Sequence, residues 1–152
     1  MPVPGDLSDG VLALELREFT ASDPERGWVT AYHFVIRHSE SNQPVGLISL
    51  RVGSNDSLRL YAGHVGYAIA EPFPGNRFAS RAVWLMLPLT RIVDLDPLWI
   101  TCDPTNAASR RTCEIIGTEY QEDVLVPESH ERYLNGARVR SRYRLSLASH
   151  AV

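Results

Sequence analysis

GHVGYAIAEPFPGNRFASRAVWLMLPLTRIV, residues 63–93, changes its hydrophobic period halfway along. Gly63 to Ala70 is a run of β-branched, aromatic and small residues that stops at Glu71-Pro72, as a short strand does. Beyond Pro72-Phe73-Pro74-Gly75-Asn76, a loop by composition, Phe78, Ala82, Leu85, Met86 and Leu89 recur at three- and four-residue spacing. That spacing predicts a helix with one apolar stripe. Pro88 removes a backbone donor inside it, so a kink or break is expected before Pro88, with apolar residues continuing to about Val93.

Upstream, Val11 to Phe19 alternates as a strand, and the turn chemistry of Ser22 to Gly27 reverses the chain. Ala31 to Arg37 and Val45 to Val52, separated by Ser39 to Pro44, read as an antiparallel hairpin. Gly53 to Ser57 is a further turn, which makes the 63–70 strand the next member of a meander. Downstream, Leu98 to Cys102 is a short buried-type strand, and Asn106 opens a helix from Ala107 to Ile116 that Gly117 closes. Thr118 to Val126 and Val139 to Leu147 are the last two strands. The sum is an α/β chain with a mixed, mostly antiparallel sheet flanked by helices.

The chain has 152 residues, the size of one domain, with no repeat and no internal composition break; residues 1–152 are expected to form a single domain with only 1–10 loose. Hydrophobic residues at 44% and charged residues at 22% exclude disordered and fibrous classes. No apolar run approaches the roughly 20 residues that cross a bilayer, and no signal segment opens the chain, so no membrane partner and a cytoplasmic location are expected. The net charge of −3 disfavours nucleic acid as a partner and leaves a small molecule as the expected one. Cys102 and Cys113 lack the number and spacing of a disulfide framework or a zinc site, so reduced thiols and no metal are expected. All 15 basic residues are arginine. Arg138, Arg140, Arg142 and Arg144 alternate and would line one strand face, best accommodated by carboxylates such as Glu119, Glu122 or Asp123 on the neighbouring strand.

The element order, together with the residues from 63 to 117, resembles the GNAT superfamily of acyl-CoA N-acyltransferases. Tyr67-Ala68-Ile69-Ala70 is similar to the family strand that pairs with the pantetheine arm, and Pro74-Gly75-Asn76-Arg77-Phe78-Ala79 to its pyrophosphate loop. Asn106-Ala107-Ala108-Ser109-Arg110, followed by Gly117, is similar to the family's second cofactor-contacting helix. The resemblance implies acetyl-CoA as acyl donor and no metal. The implied cofactor-binding residues are Tyr67, Ala68, Ile69, Ala70, Gly75, Asn76, Arg77, Phe78, Ala79, Ser80, Asn106 and Ser109. A helix N-terminus suits the diphosphate, since its first N–H groups lack intrahelical partners and carry partial positive charge. The loop departs from the family's Q/R-x-x-G-x-G/A at Pro74 and at Arg77, whose guanidinium could itself contact phosphate. About ten residues between Phe19 and Val29 leave no room for the family's two N-terminal helices, so that lid is reduced, and a homodimer is the expected assembly.

Direct attack of an amine on the thioester needs a base, and His64 on the cofactor strand is the first candidate, with Glu71 at its mouth the second. Cys113 stands seven residues after Asn106, where many members carry a general-acid tyrosine, and is the candidate for protonating the departing thiolate, although a small buried hydrophobe is its ordinary role. Tyr32 and His33 fall on the hairpin where the family builds its acceptor wall, without a catalytic assignment. The expected activity is N-acetyl transfer from acetyl-CoA to a small-molecule amine. The alternative is a catalytically silent acyl-CoA-binding or protein-interaction module of the same fold.

Overall fold

Alternation of inward apolar and outward polar residues makes strands of Leu12–Thr20 (β1), Thr30–His38 (β2) and Pro44–Val52 (β3), and Val65–Ile69 adds β4. A computed structural model describes residues 6–23, 25, 29–53, 55–70 and 77–147. Its contacts divide the chain into two compact units, residues 1–52 with 65–95 and residues 53–64 with 96–152. The sequence carries no composition break at either crossing.

In the first unit the four strands form an antiparallel sheet ordered β1-β2-β3-β4. Register places Leu14 opposite Ile36, Phe34 opposite Ile48 and Tyr32 opposite Leu50, so one face is continuously apolar. Helix α1, Phe78–Ile92, covers that face: its Phe78 ring meets His38 of β2 at 6.4 Å between centroids, and Ala82, Val83, Met86, Leu87 and Leu89 are buried. Full burial of each such aliphatic side chain contributes about 1.5–3 kcal/mol. The expected break at Pro88 does not occur, and the helix runs unbroken to Ile92. Buried neighbours on both sides hold its turns in place, so packing overrides the proline, whose interior cost is about 3 kcal/mol. The opposite sheet face is mixed, with Arg37 paired to Glu15 at 3.1 Å and with His33, Ser49 and Arg51 along it, beside the buried Ala31 and Val35 and the exposed Leu47. No helix lies between β1 and β2 among the described residues.

In the second unit Leu98–Cys102 (β5), Glu119–Leu125 (β6) and Val139–Leu145 (β7) form an antiparallel sheet ordered β5-β7-β6. Helix α2, Ala107–Ile116, turns its Cys113 and Ile116 into the core and ends at Gly117 with φ of 95°. A four-residue helix, α3 at Glu131–Leu134, and a π-helix at Leu58–Ala62 were not expected from the sequence. The π-helix is tied down by the arginine stripe. Arg140 donates to the carbonyls of Tyr61 and Thr101, and Arg142 donates to the Arg59 carbonyl while its guanidinium lies 4.2 Å from the centre of the Trp99 ring. The expected carboxylate pairing holds for Arg142 with Glu122, at 3.0 Å. Asp123 instead accepts hydrogen bonds from Ser141 and Tyr120, in that order of effect, which hold its carboxyl below the usual range.

Candidate functional site

Strand β4 is an edge of the first unit's sheet, pairing only with β3 in it. An edge strand presents backbone N–H and C=O groups along its outer side, which is what an extended amide-bearing arm can pair with. Its close seating on β3 depends on Gly46, where a Cβ would lie 2.4 Å from the Ala68 carbonyl oxygen. No other residue type fits there without moving β4. Tyr67 and Ile69 are half-buried, and Ala68 and Ala70 are exposed.

At the start of α1, Arg77 has left-handed backbone angles, φ 58° and ψ 24°, and caps the helix with no side-chain hydrogen bond. This is the conformation that glycine adopts at no steric cost, and it persists here with arginine. Ser80 donates from its hydroxyl to the Arg77 carbonyl at 2.9 Å. Phe78, Ala79 and Ser80 are buried, so what they can offer an anion is their backbone N–H groups, while the Arg77 side chain stands in solvent. The first turn of α1 contains no acidic side chain to compete with a phosphate. Glu71, Gly75 and Asn76, also expected in the site, lie outside the described residues.

The second unit carries the other expected residues. Asn106 caps α2, its side-chain oxygen accepting from the Ser109 N–H at 3.0 Å. Just before it, Thr105 donates to Asp103 from both its hydroxyl and its N–H, which holds the Asp103 carboxyl below its ordinary range. Cys113 is wholly buried in the core face of α2. Cys102 is buried as well, and burial pushes its thiol up.

His64 precedes β4 and is buried at 3% exposure. Its Nδ1 accepts the Trp99 N–H at 2.9 Å, and its Nε2 lies 2.8 Å from the Gly53 carbonyl, to which it must donate. A backbone N–H fixes Nδ1 as the unprotonated nitrogen and a carbonyl fixes Nε2 as the protonated one. The ring thus bridges residues 53 and 99. In that tautomer neither nitrogen has a lone pair left for an incoming proton.

Sequence reasoning passed over the row that crosses the mixed face of the first sheet. Thr20 Oγ1 lies 2.8 Å from His33 Nε2, and His33 Nδ1 lies 2.8 Å from Ser49 Oγ. The signal was present in the alternation: His33 and Ser49 both fall at outward positions of the hairpin. No group of three or more His, Cys, Asp or Glu side chains able to hold a metal occurs among the described residues, and no helix among them is long and apolar enough to cross a membrane.

A family model described as "Acetyltransferase (GNAT) domain" matches residues 2–119. No curated protein matches the chain. Among solved structures, a protein assigned as a ribosomal-protein-serine acetyltransferase from Vibrio cholerae superposes with a TM-score of 0.66 at 17% identity, covering 96% of this chain and 99% of that one. RimL, a ribosomal L7/L12 alpha-N-protein acetyltransferase in complex with coenzyme A, gives 0.67 at 14% identity over 93% of this chain and 98% of its own. An acetyltransferase from Salmonella typhimurium that modifies the N-terminal serine of L7/L12 gives 0.59 at 22% identity, covering 80% of this chain and 66% of that one. At these identities the likeness is one of fold.

Proposed function

We propose that this chain, which belongs to the GNAT acetyltransferase domain family, transfers the acetyl group of acetyl-CoA to the α-amino group of a peptide or protein N-terminus. Both units are read as parts of one catalytic domain, because the family match runs across them. The observation that carries the reading is the β4 edge together with the left-handed Arg77 cap and the acid-free first turn of α1. An extended arm suits the strand edge, and a diphosphate suits the helix start. Acetyl-CoA supplies a thioester carbonyl activated toward amines. The chain's own residues hold that arm, bring the acceptor and manage the protons.

A peptide amine replaces the small-molecule amine expected from the sequence, on two grounds. The structural neighbours are described as ribosomal-protein acetyltransferases, two of them acting on N-terminal amines. Between β1 and β2 no helix occurs among the described residues, and the sheet face beside β4 carries the polar side chains of His33, Ser49 and Arg51, a setting that suits the polar backbone of a chain terminus.

Assigning the base to His64 does not fit its tautomer, and Cys113 is too deeply buried to meet a thiolate without local opening. The test combines two measurements. Acetyl-CoA at many times its Kd should raise the unfolding midpoint, by roughly 2.7 kcal/mol of stabilisation at a hundredfold excess. Thiol release should accelerate with peptides beginning in Ser or Ala more than with free polyamines or amino acids. An unmoved midpoint sinks the donor assignment. Preference for small amines restores the first expectation, and binding without turnover over both panels favours the silent module.

A further inference from the structure

We infer that Thr20, His33 and Ser49 form a proton relay that carries a proton away from the acceptor amine, which makes His33, acting through Ser49, the proton-handling residue of the acetyl transfer. The inference rests on the acetyltransferase reading above and deepens it.

Position comes first. In the β1–β2–β3–β4 register, Glu18 opposes His33, His33 opposes Ser49, and Ser49 opposes Gly66. This is one straight row across the mixed face, ending on the edge strand. The pyrophosphate end of the donor belongs at the start of α1, which follows the C-terminal end of β4. Five residues of strand span roughly 16 Å, so an arm laid along β4 brings its thioester to the N-terminal end, at Val65 and Gly66. The row and the thioester therefore meet at Gly66. Gly66 carries no side chain of its own, and the Arg51 guanidinium lies over it, 3.1 Å from where a Cβ would stand, so the end of the row is flanked by a fixed positive charge.

Chemistry comes second. A neutral imidazole has one N–H and one lone pair, and a hydroxyl is both donor and acceptor. With a hydroxyl at 2.8 Å from each ring nitrogen, the chain of hydrogen bonds can run in either direction. Passing a proton through it reverses that direction and nothing else. His64 differs at this point, because backbone groups lock its tautomer. His33 is also half-buried rather than sealed in the core. The charged groups facing it are Glu18 from β1 and Arg51 from β3; β4 contributes only Gly66 and Ala68.

The balance is as follows. An ammonium acceptor sheds two protons as the C–N bond forms and the C–S bond breaks. One proton ends on sulfur as the CoA thiol. The other passes to Ser49 Oγ while the Ser49 proton moves to His33 Nδ1, the Nε2 proton to Thr20 and the Thr20 proton to water.

Two readouts test this, the first without acetyl-CoA. In the free protein, imidazole ¹⁵N NMR should show both His33 ring nitrogens hydrogen-bonded, with Ser49→Ala releasing Nδ1 and Thr20→Val releasing Nε2. In turnover with a Ser-initiated peptide, His33→Gln should lower kcat/KM at neutral pH by about a hundredfold, in the range for lost acid–base assistance, with the Kd for acetyl-CoA unchanged. The wild-type and variant rates should differ most at pH values where the amine is protonated and should converge where the amine is already neutral. Should His33→Gln fail to fold, Ser49→Ala breaks the same chain with a smaller change and should show the same loss and the same convergence. An active wild type whose profile survives in His33→Gln or Ser49→Ala overturns the relay and leaves the acetyltransferase reading standing. A wild type inert toward every acceptor overturns both.

Discussion

Replacing His64 by alanine separates a structural bracket from a base more cleanly than any other change to this chain. The imidazole satisfies the Trp99 N–H at 2.9 Å and the Gly53 carbonyl at 2.8 Å from a buried position. Alanine leaves both backbone groups without these partners, at about 1–3 kcal/mol each, and a working total of about 3 kcal/mol is expected after partial relaxation. For a chain of this length that corresponds to a fall in Tm of roughly 6–12 °C. Thermal unfolding followed by circular dichroism reads the stability, and thiol release per folded molecule, measured well below the lowered midpoint, reads the chemistry. Turnover of the folded fraction should stay within a few-fold of wild type. A variant that melts with the wild type but turns over about a hundredfold more slowly would refute the bracket and return His64 to the role of base.

Arg77 and His130 supply two further tests. Arg77→Gly removes the guanidinium but relieves a left-handed backbone, whereas Arg77→Ala removes it and keeps the strain, so the glycine variant should be the more stable of the two by about 1 kcal/mol. If the side chain meets the pyrophosphate, calorimetry should find CoA binding weakened about 5- to 30-fold in both variants; retention in the glycine variant alone would assign the contribution to the backbone. His130 accepts the Arg132 N–H at Nδ1 and meets the Ser57 hydroxyl at Nε2, and burial, then Arg132, lowers its pKa. A lowered folded-state pKa means that the unfolded chain takes up the proton first, so this contribution is complete above about pH 6.5 and is lost as the pH falls through the folded-state value. The stability gap between wild type and His130→Ala should therefore shrink on acidification, and a gap that widens would contradict the assigned tautomer.

Elements bounded by strong local signals were legible in the sequence. Leu98–Cys102 and Ala107–Ile116 appear with the expected limits, because Asp103-Pro104 stops the strand, Asn106 caps the helix and Gly117 ends it in a left-handed turn. The π-helix at Leu58–Ala62 was not, because what holds it is distant in sequence. Arg142 and Arg140 satisfy its Arg59 and Tyr61 carbonyls from about eighty residues downstream, and nothing within the segment announces them. The break expected at Pro88 does not occur, because packing on α1 overrides the proline, a tertiary effect that no window of sequence contains.

The candidate site divides along the same line. Strand β4 and the start of α1 were readable because a change from two-residue to 3.6-residue period marks the junction. Which histidine handles protons was not. His64 drew attention by its place beside the strand, yet its partners at residues 53 and 99 are invisible to any local pattern. At Arg77, the one departure from the loop pattern that falls among the described residues, the letter changes and the backbone does not. Arg77 stands where the family's glycine does and keeps a glycine-like backbone, and the other glycine that shapes the site, Gly46, sits outside the motif on β3, where its missing Cβ admits the Ala68 carbonyl. A motif counts side chains, whereas an edge strand and a helix start offer backbone groups, so the departure at Arg77 changes the text of the motif while the left-handed backbone at that position remains. Gly46→Ala is then the substitution that should disturb β4 most, although no loop pattern includes that position.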